Sequence, residues 1–428
     1  MAGTGHRIRV THAGALPRSP ELAKLVWAKG DGRPYDAAEL DRRLTDELAD
    51  TVRHQVAIGI DSINDGELSK TSFTQYCASR ISGFETRPYD PAKDPAPLNI
   101  GARDIKKFRE FFAAGHAKFV NLDAPKSVFI CNAPLRYVGQ AELQKDLANF
   151  KTALAGTGYQ QAYLPANTPG TIEHWLRNQY YASEEEFVEA IADVMHEEYQ
   201  AIVDAGFFLQ IDDPDLPDGW LMYPDMSTAE YRKYARLRVD ALNHALRGIP
   251  REKVRLHVCW GSYHGPHQDD IPLEDIADLI FRVKACEYSI EASNPAHEHE
   301  WTVFAKTKVP AGASLIPGVV GHCTDFIENP ELVKQRLLRY AKLVGRDHIM
   351  AGTDCGMGPR VKQAKICWAK LEAMVAGAEL AEKELWPSPK KALAKKKAKA
   401  PAKKKAPAKA KRSARKPKAP ARARRSRS

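Results

Sequence analysis

The chain has 428 residues, 43% of them hydrophobic, with 64 Lys plus Arg against 54 Asp plus Glu, a net charge of +10 and seven cysteines. That is enough apolar material for one large or two ordinary domains, which excludes a short disulfide-stapled module. No run approaches the roughly 18 apolar residues of a membrane helix, and Met1-Ala2-Gly3-Thr4-Gly5-His6-Arg7 lacks the apolar core of a secretory leader, so a cytoplasmic protein with free thiols is expected.

The charge is unevenly placed. Segment 388–428 holds 19 Lys plus Arg and no Asp or Glu; taking those from +10 leaves −9 for the rest. In the rest, short β-like runs alternate with helical stretches, the pattern of a parallel sheet with crossover helices. The first run is Ile8-Arg9-Val10-Thr11-His12, followed by the turn residues Gly14 and Pro17. A charged helix over about 36–55 leads into a second run, 56–67, that stops at Asn64-Asp65-Gly66-Glu67. Segment 70–125 is too long for a plain loop and should hold an inserted hairpin and helix.

A third strand is placed at Val128-Phe129-Ile130-Cys131, closed by Asn132-Ala133-Pro134. Phe187, Ile191, Val194, Met195, Tyr199 and Ile202 fall at helical spacing and predict a helix over 184–205, which feeds a fourth run, 207–214. Runs at 254–259, 286–291, 313–318 and 348–355 complete a set of eight. Eight strands with helical connections predict a (β/α)8 TIM barrel over 1–387, with an inserted segment after strand two and functional side chains at the C-terminal strand ends.

Ionisable residues do collect where the runs stop: His12, Glu67, Asp212, His257, Cys259, Glu291 and Cys355. Singly each reads as a cap or turn residue; together they point to a site. In Val254-Arg255-Leu256-His257-Val258-Cys259, residues two apart share a face, so an imidazole and a thiol stand side by side. Glu291 ends the next strand, and Cys355 lies in the last turn, Gly352-Thr353-Asp354-Cys355-Gly356. Two sulfurs, a nitrogen and an oxygen suit zinc better than magnesium or calcium. The plainer alternative makes Cys355 a small buried residue and Glu291 an ion-pair partner. His264, His267, His297 and His299 offer a competing metal set, an anion site or simply solvated loops. A metal-dependent hydrolase is the rival chemistry, although two thiolate ligands make bound water less acidic and favour a thiol guest.

His257-Val258-Cys259, Ser289-Ile290-Glu291 and Asp354-Cys355-Gly356 resemble, in the same order, the zinc-ligand segments of cobalamin-independent methionine synthase. Gln210-Ile211-Asp212-Asp213-Pro214 resembles its Gln-Ile-Asp-Glu-Pro segment, Asp65-Gly66-Glu67 its His-Gly-Glu segment, and the stretch from Thr11 to Arg18 its first-strand turn. The resemblance covers about residues 7–375. It implies zinc (Zn2+) held by His257, Cys259, Glu291 and Cys355, substrate roles for Glu67 and Asp212, with His12 beside them, and alkyl transfer to a zinc-bound thiol.

There are departures. This chain has one barrel where the bacterial and plant synthases have two, and Ala15 replaces the first-strand serine. His322, the equivalent of the family's proton-donating histidine, is one residue out of register. The segments 260–267 and 294–301 look more like a single-barrel branch that includes epoxyalkane:coenzyme M transferases. The resemblance therefore implies a thiol substrate, homocysteine or a coenzyme M-like acceptor, and as donor a folate, a corrinoid protein or an epoxide. The basic tail, 388–428, resembles the C-terminal tails of linker histones. It is expected to be disordered and either to bind nucleic acid or another polyanion without sequence preference, or to serve as a solubilising appendage.

Overall fold

Eight parallel strands form a barrel in the computed structural model: Arg9–Val10, Ser62–Ile63, Gln161–Asn167, Phe208–Asp212, Val254–Val258, Glu287–Ile290, Ser314–Val320 and Met350–Thr353. Neighbours in sequence are neighbours in space, the first strand pairs with the last, and an isolated parallel bridge between Thr11 and Ser62 joins the two ends. The structure describes residues 6–387 apart from 74, 95–97, 118–121, 123–124, 262, 359 and 362. The expectations for 388–428 lie outside the described residues.

The crossover helices form for legible reasons. Ala37–Ala57 is capped by Asp36, whose carboxylate accepts from Glu39 N at 3.0 Å, and it buries Leu40, Leu44, Leu48 and Val52 along one stripe. Glu184–Asp204 begins at a Ser183 cap, and Thr228–Ala245 at a reciprocal Ser227–Glu230 capping box. Among the described residues no helix is long and apolar enough to cross a membrane.

Two strand expectations need correction. Val128-Phe129-Ile130-Cys131 is not in the barrel. It lies in Ser127–Tyr137, the centre of a separate three-stranded sheet, antiparallel to Ile81–Pro88 and parallel to Leu176–Asn178. The barrel's third strand is instead Gln161–Asn167. The second run is also shorter than expected: the preceding helix continues to Ala57, Gly59 turns the chain at φ +93°, and only Ser62–Ile63 pairs as strand. The insert 70–125 holds one strand, Ile81–Pro88, and three short helices, Gln75–Ala78, Ala102–Lys107 and Arg109–Ala113; the strand's antiparallel partner, Ser127–Tyr137, lies just beyond the insert, so the expected hairpin is not contained in it.

Inside the barrel, inward residues alternate along each strand. Arg255 is fully buried below His257, and its guanidinium reaches four other strands: Glu287 at 2.7 Å, Thr11 Oγ1 at 3.0 Å, Ser62 Oγ at 2.9 Å and Gln210 Oε1 at 3.3 Å. This charged layer is the floor on which the mouth residues stand.

Candidate metal centre

His257 and Cys259 leave the fifth strand on the same face and meet Cys355 from the turn after the eighth. One ligand atom from each lies within 4.8 Å of the others. Cys259 Sγ stands 3.7 Å from Cys355 Sγ and donates to it. His257 Nδ1 is held by Ser289 Oγ at 3.1 Å, while its Nε2 is buried with no oxygen or nitrogen partner and the ring interacts with the Cys355 thiol. An imidazole nitrogen with no oxygen or nitrogen partner, fixed beside two thiols by a bond to its other nitrogen, is the form a metal ligand takes.

The electrostatics agree. In a buried pair of thiols the first ionisation is eased and the second opposed. The Cys259 hydrogen bond holds Cys355 well below the usual thiol range, with help from His257 against the opposing effect of burial; Cys259 is pushed well above it by the same bond and by burial. Burial acts to lower His257, but Cys355, Asp212 and Glu291 outweigh it and the ring is raised.

Glu291 belongs to a second buried group with His322 and Asp354, whose ligand atoms lie within 4.8 Å of one another. Its carboxylate is held by Trp260 N at 2.8 Å and Asn294 Nδ2 at 2.5 Å, and burial, with Asp354 nearby, pushes its pKa up to about 7. The structure thus brings three of the four expected ligands together and places the fourth in the adjoining group. His322 is buried with Nδ1 unpartnered, its Nε2 lies 3.3 Å from Cys323 Sγ, and burial lowers its pKa to about 3.

Asp354, next to Cys355, had no assigned role in the sequence. One of its oxygens accepts from both Ala292 N and Ser293 N at 2.9 Å and the other from Ser293 Oγ, which ties the turn carrying Cys355 to the segment after Glu291. Gly318 makes room for it: a Cβ there would fall 2.0 Å from Asp354 Oδ1.

On the other side of the mouth, Asp65 Oδ1 accepts from Glu67 N at 3.0 Å and holds Glu67 at φ +55°, a left-handed conformation rare outside glycine. The Glu67 carboxylate packs over Gly14, where a Cβ would meet Oε1 at 2.4 Å. Asp212 accepts from Gln210 Nε2 at 2.8 Å; burial chiefly, and then Glu67, push its pKa up to about 7, against the opposing charge of His257. Lys70, missed by sequence reading, lies 3.5 Å from Glu67 Oε2 and donates to Pro165 O at 2.6 Å. His12 spends both ring nitrogens within the wall: Nε2 on Gln55 Oε1 at 2.8 Å, Nδ1 accepting from Gly14 N at 3.3 Å.

Of the four loop histidines, His267 and His297 converge on Asp270 at 2.9 Å each, whereas His264 and His299 are exposed. The mouth thus carries a nitrogen–sulfur–sulfur cluster and, within electrostatic reach of His257, the buried carboxylates Asp212 and Glu67.

Comparison with known proteins gives three findings. The family model for the catalytic domain of cobalamin-independent synthase matches residues 133–380. The methionine synthases of Thermococcus kodakarensis (26% identical, covering 82% of this chain and 90% of that protein) and Pyrococcus furiosus (24%, 87% and 92%) are similar along most of the chain. A B12-independent methionine synthase from Shewanella sp. W3-18-1, solved in complex with selenomethionine, superposes with a TM-score of 0.65 at 21% identity over 89% of this chain and 99% of that one, a likeness of fold.

Proposed function

The chain belongs to the family of the cobalamin-independent synthase catalytic domain, and from that premise we propose that it transfers a methyl group to the thiol of homocysteine at a zinc centre. The observation that carries this reading is the meeting of His257, Cys259 and Cys355 within 4.8 Å opposite Glu67 and Asp212. The donor set fits zinc: two sulfurs and a buried imidazole nitrogen with no oxygen or nitrogen partner, with Glu291 in the adjoining group available as a fourth ligand. Bound there, zinc supplies a Lewis acid that keeps a substrate thiol ionised near neutral pH.

The chain's own residues do the rest. Glu67 and Asp212 present carboxylates to the amino group of homocysteine, and a coenzyme M-like acceptor, which lacks that group, would gain no ion pair from either. Lys70 shares Glu67 and keeps the buried acids from repelling one another before substrate arrives. Sulfur then forms its bond to the methyl carbon while the methyl's bond to the donor breaks and the electron pair leaves with the donor. The family resemblance gives His322 the role of protonating that leaving group; burial keeps its ring neutral, so the proton it would give is that of a neutral ring N–H, drawn off as charge develops on the donor. His12, engaged with Gln55 and Gly14, shapes the substrate side through Gly14.

The barrel, 1–387, carries this activity in a cytoplasmic setting; for 388–428 the charge composition supports nonspecific polyanion binding. Purified full-length protein assayed for zinc and for methionine formation from homocysteine, with a methylfolate and a methylcorrinoid as donors, tests the reading. Activity with either donor, lost in Cys355→Ala, is the expected result; no product from either, or full activity in Cys355→Ala, would overturn it.

A further inference from the structure

The segments after the fifth and sixth strands are bound to each other by a group of charges that the reaction does not use. Asp270 Oδ2 is 2.9 Å from both His267 Nδ1 and His297 Nε2. His267 Nε2 faces Tyr263 O at 2.9 Å, and His297 Nδ1 faces Glu300 Oε2 at 2.9 Å. Each ring therefore has an acceptor on both nitrogens, which only the imidazolium form can satisfy, since neutral imidazole has one donor. Two imidazoliums against two carboxylates make a balanced quartet, and Glu300 Oε1 closes it by accepting from Leu273 N at 2.7 Å.

The quartet is in contact with the metal centre. His297 stacks on Trp260, centroids 4.0 Å apart and rings 25° from parallel. Trp260 follows Cys259 directly, its indole Nε1 is tied to Ile271 O at 2.7 Å, and its backbone N–H is the group that holds Glu291 at 2.8 Å. On the far side His267 stacks on Tyr263 at 4.1 Å, and the Tyr263 hydroxyl donates to Asp104 of the inserted segment. Removing the Asp270 carboxylate would leave two cationic rings, the buried His297 and the partly buried His267, without their shared acceptor.

We propose that Asp270 is a positioning residue for the metal centre: by binding both histidines through one oxygen it fixes Trp260, and through Trp260 the places of Cys259 and Glu291. This rests on the metal centre proposed above. Losing a partner that orients ligands in this way typically costs 10- to 100-fold in metal affinity or activity.

The test uses full-length protein loaded with Co2+, whose thiolate-to-metal absorption and visible bands report the ligand set. Asp270→Ala should weaken Co2+ binding by about 10-fold or more and alter the bands at saturating Co2+, with a diminished change on adding homocysteine. Asp270→Asn, which keeps the volume and one acceptor oxygen, should fall between it and wild type, and it decides the matter if the alanine variant does not fold. A general loss of stability would lower the melting temperature without changing the spectrum of the folded, metal-saturated protein. Wild-type spectra and affinity in both variants would overturn the role of Asp270 and leave the metal centre standing. Wild-type protein without thiolate-to-cobalt absorption would overturn the centre and the Asp270 proposal together.

Discussion

Cys259 and Cys355 are 96 residues apart in sequence and 3.7 Å apart at sulfur. The contact exists because the fifth and eighth strands open into the same mouth, and because Asp354 fastens the final turn to Ala292 and Ser293. The cysteines are not disulfide-bonded, and their shared proton makes the pair ready to exchange it for a metal.

Replacing Cys355 by alanine should therefore remove bound zinc, from about one equivalent to near none after dialysis, with the fold retained because only one sulfur is lost. Elemental analysis alongside circular dichroism checks this. Retention of a full zinc equivalent would take Cys355 out of the centre.

Asp212→Asn should raise KM for homocysteine on the order of 10-fold or more, since a charged hydrogen bond is worth about 1.5–3 kcal/mol, and leave zinc content unchanged. Steady-state kinetics with metal analysis separates the two effects; an unaltered KM would remove Asp212 from the amino-group site.

Gly14→Ala places a Cβ 2.4 Å from Glu67 Oε1 at a position with φ +138°. Glu67 must shift, so KM for homocysteine should rise as in Asp212→Asn while the metal sites stay filled. Unchanged KM would show that the carboxylate does not need its seat on Gly14.

The pH dependence of stability has an identifiable contributor in Asp213, which burial, and then Asp215, push from the ordinary 3.8 up to about 7. Between those values the folded chain keeps a proton that the unfolded chain has lost, so this stabilisation is complete below about pH 4 and disappears as pH rises through 7. Asp213→Asn lacks the term. Its stability relative to wild type should climb across this window by on the order of 4 kcal/mol, at about 1.36 kcal/mol per pH unit. Urea unfolding of both proteins from pH 4.5 to 8 measures the difference, and parallel curves would refute it.

Arg255→Leu should destabilise the barrel by about 3–5 kcal/mol, because it leaves the buried Glu287 carboxylate and three polar groups without their shared partner. A fall in the urea midpoint is the readout; a midpoint equal to that of wild type would mean that Arg9, 2.9 Å from Glu287, suffices.

The sequence was most readable where a branched apolar run stops at an ionisable residue, as at Asp212, His257, Glu291 and Cys355. Gln161–Asn167 escaped because Pro165 reads as a strand breaker; in the fold it sits in register with Gln210 and its carbonyl takes the Lys70 ammonium. Val128–Cys131 misled for the opposite reason: an apolar run shows that a strand is buried, and its periodicity carries no mark of which sheet buries it. Lys70 and Asp354 were illegible because what they do depends on partners 95 and 62 residues away.

The ladders around the barrel are uneven. Strands three to seven are paired at four or five positions per interface, while the first strand shares two with the last and the second shares two with the third, with a single bridge between the first and second. His257, Cys259 and Glu291 stand on the stiff arc; Cys355 and Glu67 stand on or beside the thin one. Occupying the centre would tie Cys355, at the edge of the thin arc, across the mouth to His257 and Cys259 on the stiff one, so the same act that arms the chemistry would brace the end of the barrel where pairing is sparsest.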